Sequence, residues 1–492
     1  MSKFKKYQFW YIWPLLIVVL YSFLLSSFPY GLEIDGFWHI TLSKKMWAEG
    51  IIYRLPELAF TLYNEYYREH HFLFQVLYMP FALIPDPYLA LKVAAIFYAS
   101  LTATVFIFWL RKQNVPWPNL WIGLYLFGSS GFLFRMLNAR VQSVSLFWLL
   151  LIVWCLHEKR YRWLAALSFT YVWLYDAFFL VFPIVACFTI VDYCVEKTIP
   201  WKSLGSIAGG VIAGIVINPY FPQNIESYYY NIVRSIISTQ NIVVGGEWQP
   251  YTVDHYIVSD FVIILPFLAM TLYLFEKRNR TTLNVTERKQ LWSHWLIALV
   301  FIGLSLKSKR FIEYMPPFAI MFSALSARYL PVTFGKQRWF YVGLASICAY
   351  VNLQIFYRSS PMLDKLDCYK NAGAWIHTHL PAGELVYNAD WDDFPPLYIK
   401  APHVRYIVGL DPLFMATHKR ELYDIWRSIS NAEASGPLAE KVWQNFQARY
   451  IFSEKLEHAA FAKRLLEENQ VIERFGAPQC GVFEIKPEFT QK

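Results

Sequence analysis

The sequence predicts a polytopic α-helical membrane protein of about eleven transmembrane helices, followed by a soluble α/β domain. Three observations predict it. Eleven apolar runs approach the roughly 17–25 residues needed to cross a bilayer. The loops that join them on one side all carry Lys and Arg, the bias of cytoplasmic loops. Beyond Arg358 the composition turns soluble, with 16 Lys/Arg against 18 Asp/Glu over residues 357–492.

The apolar runs lie near 8–28, 88–110, 118–136, 141–157, 162–176, 177–195, 204–219, 257–275, 291–306, 313–330 and 338–356. Lys3, Lys5 and Lys6 precede the first, which reads as a retained signal anchor with no small-residue cleavage site after it. With the N-terminus inside, the cytoplasmic loops hold Arg111/Lys112, Lys159/Arg160/Arg162, Lys197/Lys202, Lys277/Arg278/Arg280/Arg288/Lys289 and Arg328/Lys336/Arg338. An odd number of spans puts the C-terminal domain outside. These two regions, residues 1–356 and 357–492, are the expected domains. Two outside segments, about 29–87 and 220–256, exceed ordinary connectors. Within the first, His71 to Ile84 is apolar but short, which suits an interfacial or re-entrant helix.

Composition narrows the function. The apolar fraction is 56% and aromatics reach 19%, above the roughly 45–50% apolar content of soluble domains and rich in interface-anchoring rings. The net charge of +9 lies wholly in the membrane part, so it reports topology and not nucleic-acid binding. Six cysteines, Cys155, Cys187, Cys194, Cys348, Cys368 and Cys480, show no metal-ligand spacing. Cys368 and Cys480 could pair if the tail lies in an oxidising compartment.

In the tail, short β-rich runs at 384–388, 405–408, 448–452, 471–475 and 481–485 alternate with helical stretches near 364–380, 412–430, 437–447 and 457–470. That alternation predicts a small α/β layer. No Gly-rich phosphate loop follows any strand, so nucleotide binding is not supported.

Four groups of polar residues fall on the outside under this topology. Glu33, Asp35 and His39 follow the first span, and are either solvated residues flanking a Trp anchor or a site. Glu69, His70 and His71 stand where the first loop returns to the membrane. Arg135 and Arg140 end two spans. Lys307, Lys309, Arg310 and Glu313 occupy a turn where basic residues oppose the charge rule. A lipid-linked phosphate would explain them, as would headgroups or Glu313 itself. Asp176, at a span edge, suits a site or a structural role, and Asn218-Pro219 reads as a helix stop. Glu247, with Trp248 and His255 in the second loop, is a candidate pocket wall. Adjacent histidines rarely chelate one ion alone, so His70-His71 assigns no metal, although a divalent ion stays open. Asn388-Ala-Asp-Trp-Asp-Asp393 reads as a turn after a strand.

The run Asp35-Gly-Phe-Trp-His39, then Gly50, Pro56, Phe60-Thr61 and His70-His-Phe-Leu-Phe-Gln75, resembles the first outside loop of bacterial GT-C glycosyltransferases of the protein mannosyltransferase and aminoarabinose transferase types. Asn218-Pro-Tyr220, Glu247-Trp248, Lys309-Arg-Phe-Ile-Glu-Tyr-Met-Pro316 and Asn388-Ala-Asp-Trp391 also resemble landmarks of that group. The resemblance implies a polyprenyl-phosphate-linked sugar donor, a membrane-lipid environment and a glycan, lipid or protein acceptor, with no nucleic acid. It places Asp35 at the active site as the base, with His39 and His70 orienting it or the acceptor. Lys309 and Arg310 would hold the donor phosphate, with Arg140, Glu247, Asp176 and Glu33 around the substrate. Two departures stand out: Gly36 replaces the acidic residue of the mannosyltransferases, and Phe72 follows His71 in place of Glu-Trp. The chemistry agrees, since transfer needs a base on the acceptor and positive charge on the departing phosphate. The implied location is the bacterial inner membrane, N-terminus cytoplasmic and C-terminal domain periplasmic. Two rivals are a transporter or flippase for a lipid-linked anion, and a non-catalytic assembly partner on the same fold. The first should show paired broken helices in two similar halves.

Overall fold

The computed structural model describes residues 10–229, 246–277, 283–330, 338–358 and 363–490. Lys3, Lys5, Lys6, Arg278, Arg280 and Lys336, together with residues 230–245 of the second outside segment, lie outside the described residues. The chain divides into two compact units.

The first unit takes Met1–Ser27, His70–Phe74 and Lys92–Ser360, and it is helical. The apolar runs form helices at Trp13–Ser26, Pro87–Lys112, Gln142–His157, Tyr161–Leu174, Val181–Glu196, Trp201–Val216, Phe261–Lys277, Val285–Lys307, Met315–Ser326 and Arg338–Arg358. The protein is a polytopic helical membrane protein. Among the described residues five helices are long and apolar enough to cross a bilayer by themselves, or six if one bent pair is a single span. The others are shorter: a helix of fourteen residues such as Trp13–Ser26 rises only about 21 Å.

Two expected spans take a different form. The run at 118–136 is broken into Pro118–Phe127 and Ser130–Leu137, bent by 73°. Ser129 starts the second piece by accepting from the Phe132 amide, a cap that competes with continued helix. The run at 313–330 opens with a tight turn, Lys309–Glu313, before the helix Met315–Ser326. Elsewhere small residues permit close packing. A Cβ on Gly210 would stand 2.3 Å from the Ala165 carbonyl, and one on Gly214 would stand 2.8 Å from that of Phe169. Glycine therefore lets helices Tyr161–Leu174 and Trp201–Val216 approach backbone to backbone. Asn218 stops the latter with a local turn, its Oδ1 accepting from the Tyr220 amide at 2.9 Å.

The second unit takes Phe28–Glu69, Gln75–Leu91 and Pro361–Lys492. Much of the first outside segment therefore packs with the C-terminal layer. Five strands form the sheet: β1 (Leu385–Asn388), β2 (Arg405–Tyr406), β3 (Tyr450–Glu454), β4 (Val471–Gly476) and β5 (Cys480–Ile485), in the order β2-β1-β3-β5-β4. The first three are mutually parallel, with Val386 opposite Tyr450. β5 runs antiparallel to both β3 and β4. β3 and β5 are buried along nearly their whole length, which explains their apolar sequences. The open edge of β2 is covered by the first segment: the Tyr406 amide donates to the Glu57 carbonyl at 2.7 Å, and the Ala59 amide to that of Tyr406 at 2.9 Å. Edge coverage of this kind blocks pairing with other chains. Cys368 and Cys480 form a disulfide across 112 residues, tying helix Leu363–His379 to β5.

Candidate functional site

Two clusters of charged side chains, one in each unit, contain residues that the sequence singles out. In the membrane unit the cluster is built around Glu247, in the short turn Gly246–Trp248. Arg310 Nε donates to Glu247 Oε1 at 2.7 Å, and its Nη2 lies 2.6 Å from the same oxygen. Arg135 and Arg140 each donate to Oε2, at 3.1 and 3.2 Å. Arg135 donates its other terminal nitrogen to Glu313 at 3.1 Å, and Glu313 is wholly buried. The turn is pinned by the backbone as well: Ser308 donates to the Glu247 carbonyl at 2.9 Å and the Lys309 amide to that of Gln249 at 3.0 Å. The Arg310 guanidinium stacks over the Trp248 ring at 4.2 Å, a favourable cation–π geometry. Burial alone would raise the Glu247 pKa, but Arg310, Arg140 and Arg135 overcome it and hold the carboxyl well below its ordinary value.

Three guanidiniums against two carboxylates leave at least one positive charge in excess. A planar Arg fork held by carboxylate and ring is preorganised for an oxyanion. The sequence suggested Glu247 as a pocket wall and Arg310 as a phosphate ligand; the structure adds that Glu247 fixes Arg310. Lys309 turns elsewhere, its Nζ 5.5 Å over the Tyr251 ring, and Lys307 is exposed. His71 Nε2 lies 3.4 Å from Asp176 Oδ1, with the His70 ring 4.1 Å from that of His71. Asp176 begins the turn Asp176–Leu180, at the end of its span.

In the α/β unit the cluster is acidic. Asp35 stands at the start of helix Asp35–Glu49, where a carboxylate meets the positive end of the helix dipole. His39, one turn along, is buried, and its Nδ1 lies 2.8 Å from the Gln75 side-chain nitrogen. Ser43 donates to the Gln75 side-chain oxygen at 2.9 Å, which fixes the amide and with it the imidazole. Trp38 packs against Phe394 and Tyr398, ring centroids 5.7 and 6.0 Å apart. Phe394 directly follows the turn Trp391–Asp393. Asp390 caps that turn through the Asp392 amide at 3.1 Å, and the Asp393 carboxyl receives the Asp390 amide and the Tyr369 hydroxyl at 2.8 and 2.6 Å. His458 Nε2 lies 3.0 Å from Asp390 Oδ2.

These contacts push the carboxyls apart in acidity. Burial and the charges of Asp390, Asp35 and Asp393 raise Asp392 to about 8. Burial and Asp390 raise Asp393 to about 7. Burial opposes ionisation of Asp390, but the His458 hydrogen bond and the Asp392 amide bring it below its ordinary value. His458 rises to about 9: burial lowers it, and Asp390 and Asp393 more than reverse that. Neighbouring acids held in different protonation states are the arrangement that acid–base chemistry uses. The sequence signals the turn in Asn388–Asp393 but not that Asp392 faces the charge of Asp35, because 357 residues separate them. Glu33 lies in the same unit, two residues before Asp35.

No protein-family model matches the sequence, and no curated protein is similar to it. Solved structures are. ArnT from Cupriavidus metallidurans bound to undecaprenyl phosphate superposes over 97% of this chain and 98% of its own, with a TM-score of 0.61 at 12% identity. The fold is GT-C-like. The apo state of the same ArnT gives a TM-score of 0.60 at 13% identity over the same shares. The GT-C-like architecture thus extends through both units and is not confined to the membrane helices.

Proposed function

We propose that this protein is a membrane glycosyltransferase that moves a sugar from a polyprenyl-phosphate donor to an acceptor at the periplasmic face of a bacterial inner membrane. The observation that carries the reading is the Glu247-centred arginine cluster on a fold whose solved counterpart binds undecaprenyl phosphate. In the reaction the bond between the sugar and the donor phosphate breaks, and a new bond forms to the acceptor oxygen or nitrogen. The acceptor gives up a proton, and the lipid phosphate leaves with the electron pair. Arg310 and Arg140, with Lys309 contributing long-range charge, stabilise the developing phosphate charge, where fixed donors are most effective. Asp35 takes the acceptor proton, and His39 and His70 orient the acceptor or the base. Glu247 holds the arginines in place. Asp176 and Glu33 supply polar contacts to the substrate. The Cys368–Cys480 disulfide supports a periplasmic location for the C-terminal residues, since such bonds persist in oxidising compartments.

The test is release of undecaprenyl phosphate from a sugar-charged donor by protein reconstituted in proteoliposomes. Release that depends on acceptor supports the reading. The bent pair Pro118–Phe127 and Ser130–Leu137 is one broken helix among the described residues, where the rival reading, a flippase, calls for a pair in two similar halves. Transbilayer movement of intact donor with no bond cleavage would establish it.

A further inference from the structure

Asp260 is fully buried inside Val253–Glu276, a helical stretch apolar enough to cross the membrane. Neither of its carboxylate oxygens is in hydrogen-bonding geometry with a donor among the described residues, although the Ser129 hydroxyl faces it. His255 Nε2, also without a partner, lies 3.8 Å from Asp260 Oδ2. A buried structural aspartate normally accepts from backbone amides or from Arg or Lys, and this one does not.

The surroundings are polar and irregular at this point. Tyr256–Asp260 forms a π-helical turn, a distortion common at functional positions. It meets the break in the bent helix: the Ser130 amide donates to Ser259 Oγ at 2.9 Å, and the two hydroxyls are 2.8 Å apart. Asn352 donates to the Phe127 and Ser259 carbonyls at 2.9 and 3.0 Å, leaving its own Oδ1 unpaired and buried. The His255 ring stacks on Tyr251, centroids 3.8 Å apart. Gly131 makes room for both: a Cβ there would stand 3.0 Å from the Tyr251 hydroxyl.

The charged and titratable neighbours are few. Tyr251 and Tyr256 face Asp260, and Lys309 and Arg135 act on His255 and Tyr251 respectively. None of the three bases donates to the carboxylate. A bare carboxylate in this position would carry a large desolvation cost. A proton removes that cost, and an approach of about 1 Å would bring the imidazole and carboxyl to hydrogen-bond distance.

We propose that Asp260 and His255 form an intramembrane proton-binding site, with one exchangeable proton shared between them at the junction of the π-helical turn and the bent helix. The site is independent of the donor-phosphate reading. The proton holds the turn against Ser129 and Ser130, and its loss places a charge in the apolar layer and loosens that junction.

The experiment uses full-length protein in lipid nanodiscs. Infrared pH-difference spectra with 13C-labelled aspartate should show a protonated carboxyl band between about pH 5 and pH 9. Asp392 and Asp393 also titrate in this range, so the wild-type minus Asp260→Asn difference should isolate one further band, and the midpoint of that band should shift in His255→Gln. On the wild-type protein alone, dicyclohexylcarbodiimide should modify Asp260, located by peptide mass, with labelling falling about tenfold per pH unit above the midpoint. Identical bands in wild type and Asp260→Asn, or carbodiimide adducts only at other carboxyls, would overturn the proposal. Loss of the band and the adduct on adding sodium ions at constant pH would also overturn it, by assigning the site to a metal ion.

Discussion

The two charged clusters are built on opposite principles. Around Glu247 the membrane unit gathers Arg135, Arg140 and Arg310 on one carboxylate, so base exceeds acid and Glu247 is held ionised. Around Asp392 the α/β unit gathers Asp35, Asp390 and Asp393, with His458 and Lys365 as the compensating cations, so acid exceeds base and Asp392 and Asp393 retain protons. The first arrangement suits holding an anion of fixed charge. The second suits groups that exchange protons near neutrality. The sugar transfer we propose would need both capacities, and the two clusters come from separate parts of the sequence.

The largest effect should come from Asp35→Asn, which keeps the size of the side chain and removes its proton-accepting capacity. We expect a loss of roughly two to four orders of magnitude in transfer rate, with donor binding unchanged. Near-wild-type turnover of the folded variant would reduce Asp35 to a helix-start residue and remove the acid cluster from the chemistry.

Next is Glu247→Gln, which leaves three guanidiniums without their shared carboxylate. Breaking a buried pair costs about 3–5 kcal/mol, read as a lower melting temperature. Undecaprenyl phosphate should restore part of that loss, because it supplies the missing negative charge. A variant as stable as wild type, or one that the lipid phosphate does not rescue, would break the anion-holding side of the comparison.

The smallest effect concerns pH. His458 lies at about 9 in the fold against an ordinary 6.5, so its contribution is complete below about 6.5 and is lost as pH rises through 9. Asp392 and Asp393 are also raised, from 3.8 to about 8 and 7. Their protonated forms are the ones the fold favours, so that stabilisation is complete below about 3.8 and is lost as pH rises through 7 and 8. Asp390, lowered, acts only in the acid range. The melting temperature of the α/β unit should therefore fall between pH 6 and pH 9. Loss of the charge-assisted His458–Asp390 bond, about 1.5–3 kcal/mol, accounts for a drop of about 3–10 °C. His458→Gln should flatten the upper part of the curve, and an unchanged curve would show that Asp390 is not compensated by His458.

The strands of the α/β layer are legible in the sequence because each is a short β-rich run between helical stretches. β4 and β5 fall within a residue of the runs at 471–475 and 481–485. Most of the apolar helices are legible for the same local reason. The bend at residues 128–129 is not, since apolar residues continue on both sides and only a Gly-Ser-Ser-Gly stretch marks it. Asp260 also escapes notice, as one carboxylate in a long apolar run. Glu247 is visible as polar and Arg310 as misplaced charge, but their pairing spans 63 residues and that with Arg135 spans 112. Such contacts depend on helix packing that no local pattern encodes.

The most direct test of the account is binding of undecaprenyl phosphate to the nanodisc-embedded protein and to Arg310→Ala and Arg310→Lys. A charge-assisted contact contributes about 1.5–3 kcal/mol, so Arg310→Ala should bind roughly ten- to a hundredfold more weakly. Arg310→Lys should recover only part of this, because the fork is lost. Wild-type affinity in Arg310→Ala, or no measurable binding by the wild-type protein, would contradict the claim that the Glu247-centred arginines hold the donor phosphate.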